Sequence, residues 1–235
     1  MGFWGKLFEK KECSICDGPI GLMGNKKLED GNMCKDCAAK LSPFFSERKN
    51  STVAQIREQL AYREDNKAAV EAFHTNRSLG NITKVLIDDT AGKFMVTDIS
   101  NLAEANPDVM ALSDVTNCRL DINESRHEIT YNDKDGKKCH YNPARYEYKY
   151  DFYTVINVRN PYFDEIRFKL NKHAIHIKTG GGSRMTGNGL TDFLNTASAI
   201  LTSGYNPREN VEYQEYENMG NDIIEALTGR RPEVN

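Results

Sequence analysis

The residues with the most definite chemistry are four cysteines in two C-x-x-C pairs, Cys13 with Cys16 and Cys34 with Cys37. Seventeen residues separate the pairs, a spacing that falls within the range of four-cysteine zinc ribbons. Thiolates bind Zn²⁺ in closed tetrahedral sites, and four of them occupy all of its positions. We therefore predict one structural Zn²⁺ per chain, bound by Cys13, Cys16, Cys34 and Cys37, with no position open for catalysis.

Two disulfides, or a thioredoxin-like redox site, are the alternatives for the same four residues. Disulfides need an oxidising compartment, and no signal peptide is recognisable at the start of the sequence. A redox site needs one C-x-x-C pair, whereas this sequence has two. The metal site is therefore favoured, and Cys118 and Cys139, which lie in strand-like sequence, are predicted to be ordinary thiols.

The cysteine pairs and the residues around them resemble a bacterial zinc-ribbon family that is classed as a domain of unknown function. The stretch that carries the resemblance reads CSICDGPIGLMGNKKLEDGNMCKDCAAKLSPFFS. Its specific features are the two cysteine pairs together with I-G-L-x-G-N and L-S-P-F-F, and it extends over residues 11–75. The resemblance implies a cytosolic zinc-binding protein of bacterial or phage origin, and it implies no activity.

Length and charge limit the remaining classes of function. The 235 residues have room for a small metal module and one domain with a substantial core. The 31 basic and 34 acidic residues give a net charge of −3, so no general electrostatic field attracts nucleic acid. The sequence has no run of 18 apolar residues, which predicts no transmembrane segment. The resemblance to the bacterial family implies a cytoplasmic location.

Residues 1–10 form a short amphipathic segment. Its aromatic and aliphatic residues, Phe3, Trp4, Leu7 and Phe8, recur at helical spacing beside Lys6 and Lys10. Such a segment contacts the core of its own protein, a partner, or a membrane surface. We favour protein contact, because one or two helical turns give only marginal membrane affinity, and we keep peripheral membrane contact as the alternative.

A predicted hairpin and a predicted helix follow the first cysteine pair. Ile20, Leu22, Met23 and Leu28 predict a hairpin that turns at Gly24-Asn25, with a second turn at Asp30-Gly31. Thr52 and Gln55 form a capping-box pattern that predicts a helix from there to about residue 73. Its apolar stripe has a gap in the middle, which predicts a connector helix that packs at its two ends.

From residue 82 the hydrophobic period changes to two, the signature of strands. Predicted strands occupy residues 84–89, 93–97, 115–122, 127–132, 137–141, 145–159, 166–170 and 175–177, with turns at 89–92, 123–126 and 133–136. An amphipathic helix from Leu190 to Leu201 then ends at Gly204. A final helix begins at Asn206-Pro207, with Tyr216, Met219, Ile223 and Leu227 as its apolar stripe.

This order of elements predicts an α+β fold. Its larger domain, an antiparallel sheet closed by one helix, resembles a pleckstrin-homology-like domain in element order, which by itself implies no lipid binding. The predicted divisions are an amphipathic segment at 1–10, a zinc ribbon at 11–48, a connector helix at 49–78, the β-rich domain at 79–205, and a final helix and tail at 206–235.

The leading functional prediction is a non-enzymatic adaptor that binds a protein partner. Tyr146–Tyr153 is one candidate contact surface, since tyrosine gives large contact area at low entropic cost, although the same residues also fit a core.

Two alternatives stay open. The first is nucleic-acid binding through the ribbon lysines Lys26, Lys27, Lys35 and Lys40. Nearby acidic residues offset the positive charge of these lysines. The second is a magnesium-dependent nuclease built from Asp133 or Asp135 with Glu147 and Lys149.

Overall fold

The computed structural model describes residues 11–21, 23–179 and 205–231. These residues form a mixed α/β structure with antiparallel sheets and four α-helices, which confirms the predicted α+β class at this level. They divide into two compact units. The first contains the described residues up to Leu79, Thr83–Asn117 and Ile156–Ile166, and the second contains Gly80–Ile82, Cys118–Val155 and the described residues from Arg167 onward.

Two short hairpins carry the cysteines in the first unit. Strand β1 (Lys11–Glu12) pairs with β2 (Pro19–Ile20), and β3 (Lys26–Lys27) pairs with β4 (Asn32–Met33), which leads into helix α1 (Lys35–Ala38).

The predicted hairpin around Gly24-Asn25 is wrong, because β2 and β3 pair with different strands. Of the two predicted turns, the one at Asp30-Gly31 joins paired strands, β3 and β4. The apolar residues that suggested one hairpin have separate environments, since Ile20 and Leu28 are buried whereas Met23 is 98% exposed.

Helix α2 (Val53–Glu71) begins as predicted. The Thr52 hydroxyl accepts a hydrogen bond from the Gln55 backbone N–H, and the side-chain amide oxygen of Gln55 accepts one from the Thr52 backbone N–H at 2.8 Å. Asp30 also accepts from the Val53 N–H at 2.7 Å, which fixes the start of the helix to the second hairpin. Two orphan donors of the first turn are thereby satisfied.

The prediction that α2 packs only at its ends is wrong. The buried positions run along its length at Ile56, Gln59, Arg63, Asn66 and Val70, so polar side chains fill the gap in the apolar stripe. Arg63 is the centre of this polar interior. Its guanidinium donates to Asp108 at 2.8 Å and to the Asn106 carbonyl oxygen, and its Nε donates to the Lys40 carbonyl oxygen at 3.3 Å.

Other side chains complete this network. Asp108 accepts from the Ser42 hydroxyl at 2.7 Å, so the L-S-P-F-F motif takes part through its serine. Asn66 donates to the Asn106 side chain at 2.7 Å and to the Pro107 carbonyl oxygen at 2.8 Å. A buried charge that is paired and fully hydrogen-bonded is tolerated in a core, and this network connects α2 with the end of the cysteine-bearing segment.

A four-stranded antiparallel sheet also belongs to the first unit. Its strands are β5 (Arg77–Leu79), β6 (Lys84–Asp88), β7 (Lys93–Thr97) and β8 (Met110–Ala111), hydrogen-bonded in that order, with helix α3 (Leu102–Ala105) between β7 and β8. The predicted hairpin of β6 and β7 is confirmed. Asp88 at its turn accepts from the backbone N–H groups of Ala91 and His74, both at 2.9 Å, and these bonds lower the pKa of its carboxyl.

The second sheet contains the two longest strands. Strand β9 (Val115–Asn132) pairs with β10 (Lys138–Val158), which also pairs with β11 (Glu165–Lys169) and β12 (Ile175–Lys178). The predicted turn at 133–136 is confirmed, with Gly136 at a φ of 79° and the Asp133 N–H donating to the Lys137 carbonyl oxygen at 2.9 Å.

The predicted turn at 123–126 is wrong, and so is the predicted break between residues 141 and 145, because β9 and β10 are continuous there. Polar residues of β9 pair across to β10 and do not turn the chain. Glu124 accepts from the Tyr150 hydroxyl at 3.0 Å, and the Arg126 guanidinium lies 4.8 Å from the centre of the Tyr146 ring.

Helix α4 (Val211–Thr228) packs on this sheet within the second unit. Asn206-Pro207 opens only a short 3₁₀ turn, and Asn210 caps α4 by accepting from the Tyr213 N–H at 2.9 Å, so the predicted start is corrected to Asn210. The helix ends at Gly229 as predicted, with a φ of 69°. Gly220 of the helix approaches Leu120 of β9 so closely that a Cβ atom would collide with it.

Several predictions are not tested by this architecture. Residues 1–10 and the helix from Leu190 to Leu201 lie outside the described residues. The described strands do not close into a barrel, and the pleckstrin-homology-like resemblance and the domain boundaries stay predictions. No described helix is both long and apolar enough to cross a bilayer.

Candidate metal centre

The structure brings the four predicted cysteines together. Their sulfur atoms all lie within 4.8 Å of one another, and the Cys13–Cys37 and Cys16–Cys34 sulfur pairs are each 3.9 Å apart. Zn–S bonds of about 2.3 Å in a tetrahedron place the sulfurs about 3.8 Å apart. Among the described residues this is the only group of three or more metal-ligating side chains close enough to hold an ion.

Local backbone geometry positions each sulfur. Cys13 and Cys16 lie in the loop between β1 and β2, which closes through a hydrogen bond from the Cys13 N–H to the Gly18 carbonyl oxygen at 2.8 Å. Cys34 follows β4 and caps α1, and Cys37 lies on that helix. The Cys34 N–H donates to the Cys13 sulfur at 3.3 Å, and the Cys37 N–H donates to the Cys34 sulfur at 3.4 Å.

Residues outside the C-x-x-C pairs hold the two loops against each other. Ser14 donates its N–H to the Asn32 carbonyl oxygen at 2.8 Å, and its hydroxyl accepts from the Asn32 N–H at 3.2 Å. Arg57 of α2 donates to the Ser14 carbonyl oxygen at 2.9 Å. At Gly31, a Cβ atom would come within 2.7 Å of Ser14 and Val53, so the close approach requires glycine. Sequence reasoning missed Ser14, Asn32 and Arg57, whose roles depend on contacts between separate loops.

The cluster is built into a small hydrophobic core. Cys13 is 1% exposed and Cys37 is also buried, whereas Cys34 is half-buried and Cys16 is exposed. The apolar residues of this core are Ile20, Leu28, Met33, Leu41 and Ile56, with Ile15, Phe45, Val53 and Leu60 packed against them. The metal centre therefore rests on α2 through ordinary side-chain packing.

The pKa values of the two buried thiols move in opposite directions. Burial raises the pKa of Cys13, but N–H groups of Cys34, Cys16 and Ile15 outweigh it and lower the pKa to about 6. Burial and the neighbouring Cys16 and Cys34 raise the pKa of the Cys37 thiol well above its usual value. Four thiolates this close do not all ionise without a cation among them, so the donor set fits a metal ion.

None of the six cysteines, all of which lie in the described part of the chain, forms a disulfide. An all-sulfur, four-coordinate donor set is typical of structural Zn²⁺ and leaves no position for water or substrate. The arrangement could therefore hold a metal ion, and its donor chemistry agrees with the predicted zinc.

The residues of the nuclease prediction are not brought together. Asp133 and Asp135 lie in the turn that joins β9 and β10, and Glu147 lies nine residues into β10, roughly 30 Å away at about 3.3 Å per residue. A hydrogen bond with His176 at 3.3 Å, opposed by partial desolvation, lowers the pKa of Glu147, and Lys149 and Lys178 lower it further. Glu147 is thus the centre of an ion-pair cluster.

The other candidate surfaces have mixed environments. Tyr150 is buried, its hydroxyl is 2.9 Å from that of Tyr205, and Tyr148 stacks on the Tyr205 ring at 4.0 Å. Tyr150 therefore belongs to the interior of the second unit, whereas Tyr148 is half-buried and Tyr205 is 36% exposed. The ribbon lysines Lys27, Lys35 and Lys40 are exposed and Lys26 is half-buried, among the exposed acidic residues Asp17, Glu29, Asp30 and Asp36.

Comparison with protein families gives one match. Residues 11–59 match a family described as a domain of unknown function, DUF4428. The match contains all four cysteines and the start of α2, and it supports the resemblance found in the sequence over a shorter range than residues 11–75. The chain matches no curated protein and no solved structure.

Proposed function

We propose that this chain is a non-catalytic binding protein in which residues 13–37 hold one structural Zn²⁺. The proposal is supported by four cysteine sulfurs that cluster within 4.8 Å of one another and pack into a hydrophobic core. A metal held in this way contributes folding free energy, and its site offers no ligand position for chemistry.

The stabilising role follows from what the cysteine loops contact. Leu28 and Met33 are almost fully buried in the core that includes Cys13 and Cys37, and Ile56 of α2 is buried in the same core. Hydrogen bonds from Val53 to Asp30 and from Arg57 to Ser14 connect α2 with both cysteine-bearing hairpins. Loss of the ion therefore removes the support of the N-terminal half of α2.

Chelation coupled to hydrogen exchange tests this role. We expect removal of the ion to accelerate amide exchange in residues 53–63, while exchange in α4 of the second unit changes little. Cys13→Ser should reproduce the effect, and Cys139→Ser, which alters a cysteine outside the cluster, is the matched control. Unchanged protection of residues 53–63 after complete metal removal would contradict a structural role.

The binding role is supported by an arm of the second unit, residues 123–145. None of these residues is buried, although they form the ends of β9 and β10 and their turn. Strand β12 pairs with β10 only from Glu147 to Tyr150, so the arm is a bare two-stranded ribbon in the described part of the chain. Such a ribbon is marginally stable in water and adds no core, which favours a role in contact with a protein partner.

The side chains of the arm are suited to such contact. Tyr131 and Tyr141 pack with their ring centres 4.9 Å apart, and Arg145 lies 4.1 Å from the centre of the Tyr141 ring. Tyrosine and arginine are among the side chains enriched in protein interfaces. Lys137 and Lys138 are exposed beside them.

Affinity capture with paired variants tests the arm. A Tyr131→Ser, Lys137→Ala, Lys138→Ala variant should lose a protein that the unchanged chain retains, and a Lys26→Ala, Lys27→Ala variant should keep it. If only the Lys26→Ala, Lys27→Ala variant loses its binding, and the unchanged chain retains nucleic acid in amounts that fall steeply as salt rises, the ribbon is instead favoured as a nucleic-acid surface. Equal recovery by both variants would remove the arm from the proposal.

A further inference from the structure

The four sulfurs of the cluster are not equivalent. Cys13 and Cys37 are buried in the core, Cys34 is half-buried, and Cys16 is exposed. The N–H···S hydrogen bonds found in the described residues end on the sulfurs of Cys13 and Cys34. Such bonds withdraw electron density from a thiolate and protect it. Cys16 is therefore the least protected sulfur of the four.

A cavity of about 520 Å³ is lined in part by Cys16. Cys16 and Cys37 line it together with Ala39, Leu60 and Ala105. Cavities of this size admit ligands much larger than a hydroperoxide. Small oxidants in solution therefore have a route to the exposed Cys16. Cys37 lines the same cavity but is only 5% exposed, and the core shields Cys13.

Cys34 is the partner that a reaction at Cys16 would use. The Cys34 sulfur lies 3.9 Å from that of Cys16, and Cys34 is more accessible than the buried Cys13 and Cys37. A disulfide needs a sulfur–sulfur distance of about 2.05 Å, so a movement of about 2 Å joins the two. Cys13 and Cys37 form the other close pair, which is buried.

We propose that Cys16 is a site of oxidation by hydroperoxides, with Cys34 as the resolving thiolate. The Cys16 thiolate attacks the terminal peroxide oxygen, the O–O bond breaks, and the alkoxide leaves and takes up a proton to give an alcohol, or water from hydrogen peroxide. Cys16 is then a sulfenic acid. The Cys34 thiolate attacks this sulfur, the S–O bond breaks, and hydroxide leaves and becomes water. Two thiolates have lost two electrons to one peroxide, and the cluster has lost two of its four metal ligands.

This inference depends on the proposed zinc site, and the experiment separates the two. Purified protein is first analysed for zinc, which tests the site alone. It is then treated with hydrogen peroxide while a chromophoric chelator records released Zn²⁺, and the products are alkylated and mapped by mass spectrometry. We expect zinc release together with a Cys16–Cys34 disulfide. Full zinc retention, or a Cys13–Cys37 disulfide as the first product, would overturn the inference.

A variant that keeps all four ligands tests the route. Ala39→Phe narrows the cavity beside Cys16, and we expect it to slow peroxide-driven zinc release severalfold without changing the zinc content. Ala68→Phe is the matched control, because Ala68 is an exposed residue of α2 that does not line the cavity. Equal release rates for the two variants would contradict access through the cavity.

Discussion

The buried ion pair between Arg63 and Asp108 gives the sharpest stability prediction. The Arg63 side chain is 7% exposed and that of Asp108 is 0% exposed. In Arg63→Met, the Asp108 carboxylate keeps, among the described residues, only its bond from Ser42, and the carbonyl oxygens of Lys40 and Asn106 each lose a donor. Removing one partner of a buried pair costs about 3–5 kcal/mol, mostly because the other charge stays buried without compensation.

Urea unfolding of the metal-loaded protein measures this loss, with hydrogen exchange identifying the transition that includes α2. We expect Arg63→Met to lower the free energy of unfolding by about 3–5 kcal/mol. Adding Asp108→Asn should restore about half or more of the loss, because the charge is removed while an oxygen remains for Ser42.

The matched control on the same helix is Glu64→Gln, which breaks the exposed pair that Lys67 makes with Glu64. Exposed pairs contribute about 0–1 kcal/mol, and the control should stay in that range. An Arg63→Met loss no larger than that of the control would refute the reasoning.

Four further predictions follow from the structure. Gly31→Ala should destabilise the first unit by about 1–3 kcal/mol, because its Cβ would lie 2.7 Å from Ser14 and Val53, and thermal unfolding measures the change. Gln59→Leu should raise the free energy of unfolding by about 1–2 kcal/mol, because the side chain is fully buried and its amide has no hydrogen-bond partner among the described residues; a decrease in urea unfolding would contradict this. The N–H groups of Ala91 and His74 lower the pKa of Asp88 in the folded protein. Asp88 should therefore stabilise the fold above its unfolded pKa of about 3.9, and this stabilisation should disappear as the pH falls through the folded pKa. In thermal unfolding, Asp88→Asn should be less stable than the unchanged chain at pH 6 and equal to it near pH 2. Zinc should be released as the pH falls, because protons compete with the ion for the ligand thiolates. A constant zinc content in equilibrium dialysis at stepwise lower pH would contradict this.

The cysteine cluster could be predicted because metal ligands are recognised from residue type and spacing alone. Two C-x-x-C pairs at this separation identify the four sulfurs without any knowledge of the fold. The capping box of Thr52 and Gln55 was predictable for a similar reason, since its hydrogen bonds join residues three apart. In these two cases, residues close together in sequence were enough to predict the local structure.

The features that were missed depend on partners far away in sequence. The gap in the apolar stripe predicted that α2 packs only at its ends, but Arg63 and Asn66 are buried there because Asp108 and Asn106 pair with them. The polar run at 123–126 suggested a turn, but its residues pair with tyrosines of β10. Hydrophobic periodicity counts such positions as surface, because the sequence does not show which distant group will satisfy them.

The zinc content of the purified chain is the measurement that tests the central claim most directly. After dialysis against metal-free buffer, elemental analysis should find one equivalent of zinc per chain, and Cys13→Ser should lose it while Cys139→Ser retains it. Less than about half an equivalent in the unchanged chain, or full retention in Cys13→Ser, would contradict a structural zinc ion held by Cys13, Cys16, Cys34 and Cys37.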